Sequence, residues 1–375
     1  MRYYLSRGAV LKWLETPCLY HIKNDQLYEL DRDAFEFLKN CSESGCHSHD
    51  SEFLDYCLQE ELLTKERVFV KRPPPIKSSD PSLRYLELQI TNKCNLKCRH
   101  CYIKDRDKKE LSVNQLRTIL KEFEHMQGLR VLVTGGEPLL HSQFEEINKM
   151  LPRFLLRKVF FTNGILLDEE IIKRLNVDEI QVSIDGLEHA HDFLRGKGTY
   201  RLAMKAVTLS LDHGFHVSVA TMVHPGNLKD FDEMDRLFKD IGVREWTVDV
   251  PCVVGRLEDN AELQIKPEVG GRYLKYGYGS GLHTAYPGFG CGLHLMAVMA
   301  DGKIAKCTFY SDNAVGRVEE GLSACWQRIR PIRLSELACN CDFVESCRGG
   351  CRYRAELFGN PLGRDLQRCA LYGVI

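Results

Sequence analysis

The middle of the chain combines two patterns of hydrophobic and polar positions. Residues 85–90 alternate apolar and polar side chains, as a half-buried strand does. Further on, residues 112–115 read Ser-Val-Asn-Gln, the sequence of a helix capping box, and apolar side chains then recur at helical spacing at Leu116, Ile119, Leu120 and Phe123. The region therefore begins with a strand that leads into an amphipathic helix.

The same unit recurs along the next 120 residues. Five more strands are predicted at residues 130–134, 158–162, 179–184, 216–223 and 244–250. Helical patterns lie between them, for example at 168–175 and at 227–241, where Gly242 stands in the helix-ending position. Six β/α units predict an α/β fold with a parallel sheet or a partial (β/α)6 barrel, whose active site would lie at the carboxyl ends of the strands.

Breaks in the pattern divide the chain into three predicted domains. Residues 71–75 read Lys-Arg-Pro-Pro-Pro, a stiff segment that ends a first domain at 1–75. The β/α units form a second domain at 82–275, and the glycine-rich stretch 276–292, interpreted as a linker, opens a third at 276–375. In the first domain, strands at 19–22 and 26–30 and helices at 31–40 and 52–62 have the order of a winged helix.

Charge and hydropathy narrow the choice of partners. The 51 basic and 52 acidic side chains nearly cancel, so we expect no sequence-independent binding to nucleic acid. Residues 1–20 lack the uninterrupted apolar stretch of a secretory signal, and nowhere in the chain do about eighteen apolar residues run together. We therefore expect a cytoplasmic protein that does not span a membrane.

Cysteine usage is the anomaly in the composition. Of 16 cysteines, twelve lie from Cys94 onward and eight of those between Cys291 and Cys369. A cytosolic protein has no use for so many disulfides, so clustered thiols indicate metal. The four early cysteines are interpreted as buried or free thiols, and no metal site is expected at residues 46–49 (Cys-His-Ser-His); the four are Cys18, Cys41, Cys46 and Cys57.

The first cysteine group follows the first strand directly. Cys94, Cys98 and Cys101 are separated by three and then two residues, in a loop short enough for three thiolates to face one metal centre. Thiolates favour zinc or iron–sulfur clusters. A structural zinc site has a closed fourth position, whereas three ligands leave one position of a reactive cluster open. The residues alone leave a zinc or redox loop as an alternative.

This loop resembles the fingerprint of the radical S-adenosylmethionine (SAM) superfamily. Residues 91–102 read Thr-Asn-Lys-Cys-Asn-Leu-Lys-Cys-Arg-His-Cys-Tyr, and His100 stands where the family has an aromatic residue. The resemblance implies a 4Fe-4S cluster on Cys94, Cys98 and Cys101, with SAM chelated by the open iron. It also implies an enzyme that cleaves SAM reductively to a 5′-deoxyadenosyl radical.

Segments at later strand ends extend the resemblance. The implied SAM contacts are Gly135, Gly136, Glu137, Pro138, Asn163, Ser183, Asp185 and Arg195. The first four resemble the family's segment that receives the amino group of SAM, and the others resemble its contacts to ribose and carboxylate. Each segment alone would also fit a turn or a helix start.

The second cysteine group resembles a SPASM domain, which binds two auxiliary 4Fe-4S clusters. Its cysteines are Cys291, Cys307, Cys339, Cys341, Cys347, Cys351 and Cys369. By the family's ligation, Cys291, Cys307 and Cys351 share one cluster, and the remaining four hold the other. The first cluster then lacks a fourth cysteine, which leaves Cys252, Cys325 or an open site. The family usually places two residues between these two cysteines, whereas only Asn340 separates Cys339 from Cys341. The spacing therefore leaves open whether both cysteines are ligands. A zinc ribbon is the alternative.

The first domain resembles the peptide-recognition domain of ribosomal-peptide (RiPP) maturases, which adds a leader peptide to its sheet edge. The combined resemblance implies an enzyme that abstracts hydrogen from a precursor peptide, forming a thioether (sactionine-type) or other cross-link, with flavodoxin or ferredoxin as electron donor. Two other hypotheses remain. One is an oxidase similar to anaerobic sulfatase maturases, and the other is a non-catalytic iron–sulfur protein that binds peptides or transfers electrons.

Overall fold

The computed structural model describes residues 2–47, 51–103, 108–279, 281, 283 and 287–375. Its strands are β1 (Tyr4–Leu5), β2 (Ala9–Trp13), β3 (Pro17–His21), β4 (Gln26–Glu29), β5 (Leu63–Thr64), β6 (Tyr85–Thr91), β7 (Arg130–Gly135), β8 (Arg157–Thr162), β9 (Glu179–Ser183), β10 (His216–Met222), β11 (Glu245–Asp249), β12 (Leu295–Val298), β13 (Lys303–Ala305) and β14 (Gly316–Arg317). Its α-helices are α1 (Arg32–Glu43), α2 (Ser51–Gln59), α3 (Val113–His125), α4 (Phe144–Met150), α5 (Glu169–Ile172), α6 (Glu188–Arg195), α7 (Thr199–Asp212), α8 (Phe231–Asp240), α9 (Pro267–Gly270), α10 (Leu322–Trp326), α11 (Val344–Cys347), α12 (Arg352–Leu357) and α13 (Leu366–Leu371).

A nine-stranded sheet forms the centre of the molecule, in the order β11-β10-β9-β8-β7-β6-β12-β13-β14. Strands β6 to β11 are all parallel, in register pairs such as Leu86 with Val131 and Val133 with Phe160. The predicted parallel sheet with six β/α units is therefore confirmed.

Local sequence explains the first of these units. Ser112 and Gln115 form the predicted capping box at the start of α3, each side chain bonding the backbone of the other. The apolar stripe of α3 is buried against the sheet, with Phe123 fully inaccessible. The capping box begins the helix at the residue where its apolar face can reach the strands.

Two predicted helices are shorter in the structure. The pattern at 168–175 gives only α5, and the pattern at 227–241 gives α8, which begins four residues later. Asn227 explains the second difference, because its amide donates to the backbone oxygens of Asp185 and Met222. Residues before α8 thus tie two strand ends together instead of extending the helix.

The amino-terminal region has two small sheets, β1-β5 and β2-β3-β4, packed on α1 and α2 around Leu11, Leu19, Phe35 and Leu38. The proline-rich segment at residues 71–75 covers the edge of the sheet at β2, since Arg72 donates to the backbone oxygen of Ala9. One prediction was wrong here: Cys41 and Cys46 form a disulfide, which their separation of five residues along the chain did not reveal. Cys18 and Cys57 are buried free thiols, whereas Ser48 and His49 lie outside the described residues.

This amino-terminal region sits on the amino ends of the parallel strands. Arg130 and Arg157, the first residues of β7 and β8, reach into it, where Arg157 donates to the backbone oxygens of Ile22 and Lys23. From the amino-terminal region, the Lys12 ammonium donates to the backbone oxygen of Gly128, just before β7. The opposite ends of the strands therefore stay clear of the amino-terminal region.

The carboxy-terminal region joins the central sheet. Strand β12 pairs in parallel with β6, and β13 and β14 continue the sheet in antiparallel fashion. The sheet therefore runs across the boundary predicted at residue 275. Within the described part of the chain, no helix is both long and apolar enough to cross a membrane.

Candidate functional site

A cavity of about 280 Å³ opens at the carboxyl ends of the parallel strands. The predicted site residues that line it are Cys94, Cys98, Cys101, Gly135, Gly136, Asn163, Ser183, Asp185 and Arg195. Strands β6 to β9 and the helix α6 each contribute to this wall, as parallel strands that end at one edge of a sheet should. The structure thus brings side chains from about 100 residues of sequence to one place.

The cysteine loop is held at both ends by backbone hydrogen bonds. The Gly136 N–H donates to the Thr91 oxygen and the Glu137 N–H to the Lys93 oxygen, at 2.8 and 2.7 Å. At the far end, the Arg256 N–H donates to the Cys101 oxygen at 2.9 Å. Of the three cysteines, Cys98 is buried.

Gly135 and Gly136 make this close approach possible. A Cβ atom on Gly136 would lie 2.3 Å from the Lys93 oxygen, and one on Gly135 would lie 2.5 Å from the Thr91 oxygen. Any side chain there would push the cysteine loop off the end of β7. The two glycines therefore have a packing reason as well as a place in the cavity wall.

Glu137 and Pro138 lie behind the wall. The fully buried Glu137 carboxylate accepts hydrogen bonds from the Thr162 hydroxyl at 2.9 Å and from the Asn163 N–H at 2.9 Å. Burial raises the pKa of Glu137 to about 7. Pro138 begins a short 3-10 turn directly after it. Glu137 joins the ends of β7 and β8, and neither residue is part of the cavity surface.

Asp185 and Arg195 form a buried ion pair in the cavity wall, with Arg195 Nε 2.5 Å from Asp185 Oδ2. Burial alone would raise the pKa of Asp185, but the charge of Arg195 holds it well below its ordinary value. Asp185 also accepts from the Met222 N–H at 2.7 Å. Both members of the pair therefore stay charged at neutral pH.

Two side chains of the wall touch the cysteine thiols. Arg195 Nη1 lies 3.9 Å from Cys98 Sγ, and Asn163 Nδ2 lies 3.9 Å from Cys94 Sγ while donating to Asn95 at 2.8 Å. Burial raises the pKa of the Cys98 thiol, and the Arg195 charge acts in the opposite direction. A positive charge and an amide donor beside the sulfurs stabilise the cysteines as thiolates. They also favour a negatively charged cluster bound by those thiolates.

His100 lines the cavity with one unsatisfied ring nitrogen. Its Nδ1 is buried and has no hydrogen-bond partner among the described residues, while Nε2 lies 3.8 Å from Asp185. Burial lowers the pKa of His100 to about 4. A buried polar atom of this kind needs a partner, and a polar cofactor in the cavity would supply one.

The donor set fits an iron–sulfur cluster better than a single ion. Within the described ranges, no three His, Cys, Asp or Glu side chains converge tightly enough to hold one metal ion. A four-iron cluster binds each thiolate at a different iron, so its ligands stand apart around one space. Three cysteines on the wall of one cavity meet that requirement.

The seven carboxy-terminal cysteines gather in two groups. Cys291, Cys307 and Cys351 interact electrostatically with one another, and the Cys252 thiol lies close enough to Cys351 to interact with it. The other group contains Cys339, Cys341, Cys347 and Cys369, linked through Cys339. Both Cys339 and Cys341 belong to it. This is the division that the SPASM resemblance implies for the ligands.

Several cavity residues were not predicted from the sequence. They are Glu87, Leu96, Tyr102, Ile103, Thr134, Phe161, Thr162, Gln181, Ala220, Met222, Pro251, Thr308 and Phe309. Three of them, Gln181, Ala220 and Met222, lie on strands and face the cavity. Their positions in predicted strands were the only feature of the sequence that indicated a place in the cavity wall. Thr308 and Phe309 come from the carboxy-terminal region, whose packing against the cavity no local pattern indicates.

Comparison with known proteins identifies the domain. A profile of the Radical SAM superfamily matches residues 88–238. The mycofactocin maturase MftC of Mycolicibacterium smegmatis is 28% identical over 320 residues, which are 76% of this chain and 82% of MftC. This match extends well beyond the domain on which the cysteine loop lies.

Solved structures show the same fold. The crystal structure of Streptococcus suis SuiB bound to precursor peptide SuiA has a TM-score of 0.69 at 15% identity, covering 98% of this chain and 100% of SuiB. The structure of anSMEcpe with bound AdoMet has a TM-score of 0.60 at 19% identity, covering 78% of this chain and 92% of that one. The radical SAM family implies a 4Fe-4S cluster and SAM, which the cavity fits. Residues 88–238 are therefore a radical SAM domain, and this chain is an enzyme related to a maturase.

Proposed function

We propose that this enzyme matures a ribosomally made precursor peptide by radical chemistry in the cavity at the carboxyl ends of the strands. One observation carries the proposal: the cavity has the loop of Cys94, Cys98 and Cys101 on one side and Cys252, beside the second cysteine group, on another. A substrate there would stand between a radical source and an electron acceptor.

Each group of the cavity has a role that follows from its chemistry. When bound, a 4Fe-4S cluster on the three thiols supplies the electron that cleaves SAM to methionine and a 5′-deoxyadenosyl radical. Arg195 presents a fixed cation to the carboxylate of SAM, and Asp185 orients Arg195. Asn163, Ser183 and His100 offer polar atoms to the ribose and amino groups, and Gly135 and Gly136 let the β7 backbone approach.

The overall reaction needs an electron acceptor. A peptide C–H that has lost a hydrogen atom carries an unpaired electron. Closing a thioether with a cysteine S–H then releases one electron and one proton. Auxiliary 4Fe-4S clusters on the two carboxy-terminal cysteine groups would take the electron, and the proton leaves to solvent. A carbon–carbon cross-link has the same balance, with a second C–H in place of the S–H.

Two of the similar proteins support a peptide substrate. MftC, 28% identical, is named a maturase, and SuiB was crystallised with a precursor peptide. We place the reaction in the cytoplasm, with flavodoxin or ferredoxin as electron donor.

We propose that the leader of the precursor peptide pairs with β4, the open edge of the winged-helix-like amino-terminal region. Within the described sheet, β4 pairs only with β3, and the edge residues Gln26 and Glu29 are exposed. The Leu30 N–H donates to the Pro17 oxygen, so by antiparallel alternation the backbone groups of Leu27 and Glu29 face outward. An extended peptide can bind such a row of groups.

A point substitution tests the leader site better than a deletion. Removing the first seventy residues would take away the acceptors that Arg84, Arg130 and Arg157 have in that region, so a deletion would not separate lost leader binding from lost stability. Glu29→Pro removes one outward N–H and leaves the β3 ladder intact. We expect weaker leader-peptide binding than for Glu29→Ala, measured by fluorescence anisotropy, with unchanged 5′-deoxyadenosine formation from SAM alone. Equal binding by both variants would refute this docking site.

The main experiment is anaerobic reconstitution with iron and sulfide, followed by SAM and a strong reductant. We expect 5′-deoxyadenosine, about twelve irons per chain for three clusters, and a mass change in the precursor peptide. The Cys98→Ala variant should form no 5′-deoxyadenosine, whereas Cys57→Ala, a buried thiol of the amino-terminal region, should match the wild type. A reconstituted enzyme that holds its clusters but forms no 5′-deoxyadenosine would contradict the proposal.

A further inference from the structure

Cys252 is a buried thiol that the seven-cysteine pattern does not include. It lies three residues beyond β11, is 5% exposed, and lines the cavity together with Pro251. In sequence it precedes Cys291 by 39 residues. Nothing in the local sequence connects it with the carboxy-terminal cysteines.

Two anchors determine where Cys252 lies. On one side, Arg354 Nη1 donates to Asp249 Oδ1 at 2.5 Å and to the Val250 oxygen at 3.1 Å. Arg354 is three residues after Cys351, in the first turn of α12, so this clamp brings the end of β11 to Cys351. Arg354 is itself held by the buried Asp365 at 2.9 Å.

On the other side, the segment after Cys252 packs against the first cysteine loop. The Arg256 N–H donates to the Cys101 oxygen, and Gly255 has a positive φ of 62°. A Cβ atom on Gly255 would lie 2.5 Å from the Tyr102 oxygen, so only glycine permits this contact. Cys252 is therefore held between the two cysteine regions.

The positions of the thiols themselves distinguish Cys252 from Cys325. Cys252 lies close enough to Cys351 for the two thiols to interact, and Cys351 interacts electrostatically with Cys291 and Cys307. Cys325, the other spare thiol, is fully buried in the hydrophobic core and directs its sulfur to the Arg317 oxygen. Of the two spare cysteines, only Cys252 belongs to this thiol group.

We propose that Cys252 is the fourth ligand of the auxiliary cluster whose other ligands are Cys291, Cys307 and Cys351, and that this cluster is closed to substrate thiolates. The inference rests on the proposed function, because it takes the auxiliary cluster as present. Four cysteines satisfy a 4Fe-4S cluster completely. The electron of the substrate radical then reaches this cluster across space, without a sulfur–iron bond to the peptide.

The test uses the full chain with Cys94, Cys98 and Cys101 changed to alanine, so that only auxiliary clusters contribute iron and EPR signal. Cys252→Ala is compared with the matched control Cys325→Ala, with 2-mercaptoethanol as the exogenous thiol. We expect the parent and the control to hold about eight irons and to keep their reduced EPR spectrum when the thiol is added. Cys252→Ala should lose about four irons, or keep them with a spectrum that the thiol changes.

The outcomes separate this inference from the proposed function. A parent chain that holds no iron after reconstitution removes the auxiliary clusters, and with them the proposed electron acceptor. A parent with about eight irons whose EPR spectrum changes with thiol shows an open cluster and overturns the inference alone. The same holds if Cys252→Ala matches Cys325→Ala in iron content and spectrum. Cys252→Ser, which keeps the size of the side chain, repeats the test should the alanine variant fail to fold.

Discussion

Two buried aspartate–arginine pairs lie at opposite ends of the same parallel sheet. At the amino ends of the strands, Asp25 pairs with Arg130, and Arg157 Nε lies 3.6 Å away. At the carboxyl ends, Asp185 pairs with Arg195. All four side chains of these two pairs are buried or nearly so.

The surroundings of the two pairs differ. The Asp25 carboxylate also accepts from the Tyr20 hydroxyl at 2.5 Å, and the network faces the amino-terminal region. Asp185 and Arg195 face a cavity with a thiol and with the unpartnered Nδ1 of His100. The first network, which we call closed, lies between two parts of the fold and orients them, although Arg157 Nε has no hydrogen-bond partner among the described residues. The second, which we call open, lines a cavity, and an unpartnered polar atom there is a place for a ligand.

The largest effect on stability should follow a change at the closed pair. Asp25→Asn leaves Arg130 without a buried counter-charge and leaves Arg157 with Glu179 alone, which should cost about 3–5 kcal/mol of unfolding free energy. Asn suits the positive φ of 60° at this position, so the substitution tests charge and not backbone strain. Urea denaturation measures the loss.

The matched control is Asp33→Asn, an exposed carboxylate in the first turn of α1, for which we expect at most about 1 kcal/mol. If both variants lose the same stability, the closed network does not hold the amino-terminal region on the parallel sheet, and the comparison fails on this side.

The open pair should affect chemistry more than stability. Arg195→Lys keeps the charge but loses the planar group that contacts Asp185 and Cys98 together. We expect 5′-deoxyadenosine formation to fall about tenfold or more, equivalent to about 1.4 kcal/mol in the activation free energy. Chromatographic quantification of 5′-deoxyadenosine at equal cluster content measures the effect.

Arg201→Lys, an exposed arginine paired with Glu188 on the same side of the sheet, is the control and should keep the wild-type rate. A wild-type rate for Arg195→Lys as well would mean that the cavity pair is only structural, like the pair at the other end.

Sequence patterns predicted the elements whose signals are local. Each of the six parallel strands was placed within one residue of its observed ends, because alternation is a short-range pattern and the strands are short and buried. The capping box at Ser112 was found for the same reason. The family resemblance named Asp185 and Asn163, and both lie on the same cavity as the cysteine loop, since parallel strands end at one edge of a sheet.

Features made by distant residues were out of reach. The pairing of β12 with β6 and the contact between Cys252 and Cys351 depend on the path of the chain in space. The Cys41–Cys46 disulfide joins residues only five apart and was missed for another reason, because disulfides were not expected in a cytosolic protein. Glu137 shows a different limit. Its position after two glycines indicated a cavity residue, yet its carboxylate is oriented toward Thr162 and Asn163 because those donors satisfy it in the interior.

The pH dependence of stability should separate Glu137 from the charged pairs. Burial raises its pKa to about 7, so between about pH 4.5 and 7 the folded chain keeps a proton that the unfolded chain releases. This group therefore makes the wild-type protein less stable as pH rises through that window. Glu137→Gln cannot titrate, and we expect its unfolding free energy to fall less between pH 5.5 and 8, measured by urea denaturation.

Glu110→Gln is the matched control at the same end of the sheet. Burial would raise the pKa of Glu110, but hydrogen bonds from Ser142 and Lys93 lower it to about 2. Both states of that carboxyl are then ionised above about pH 5.5, and its removal should leave the slope unchanged. A wild-type slope in Glu137→Gln would contradict the raised pKa.

The smallest effect should come from the unpartnered nitrogen of His100. His100→Phe keeps an aromatic ring beside the cysteine loop but removes Nδ1, the atom that lacks a partner among the described residues. A neutral hydrogen bond is worth about 0.5–1.5 kcal/mol, so SAM should bind roughly two- to twelvefold more weakly by equilibrium dialysis to the reconstituted enzyme. The control is His189→Phe, an exposed residue of α6. If His100→Phe binds SAM as tightly as the control, the unsatisfied atom is not directed to the cofactor. The difference between the closed and the open network would then rest on Arg195 alone.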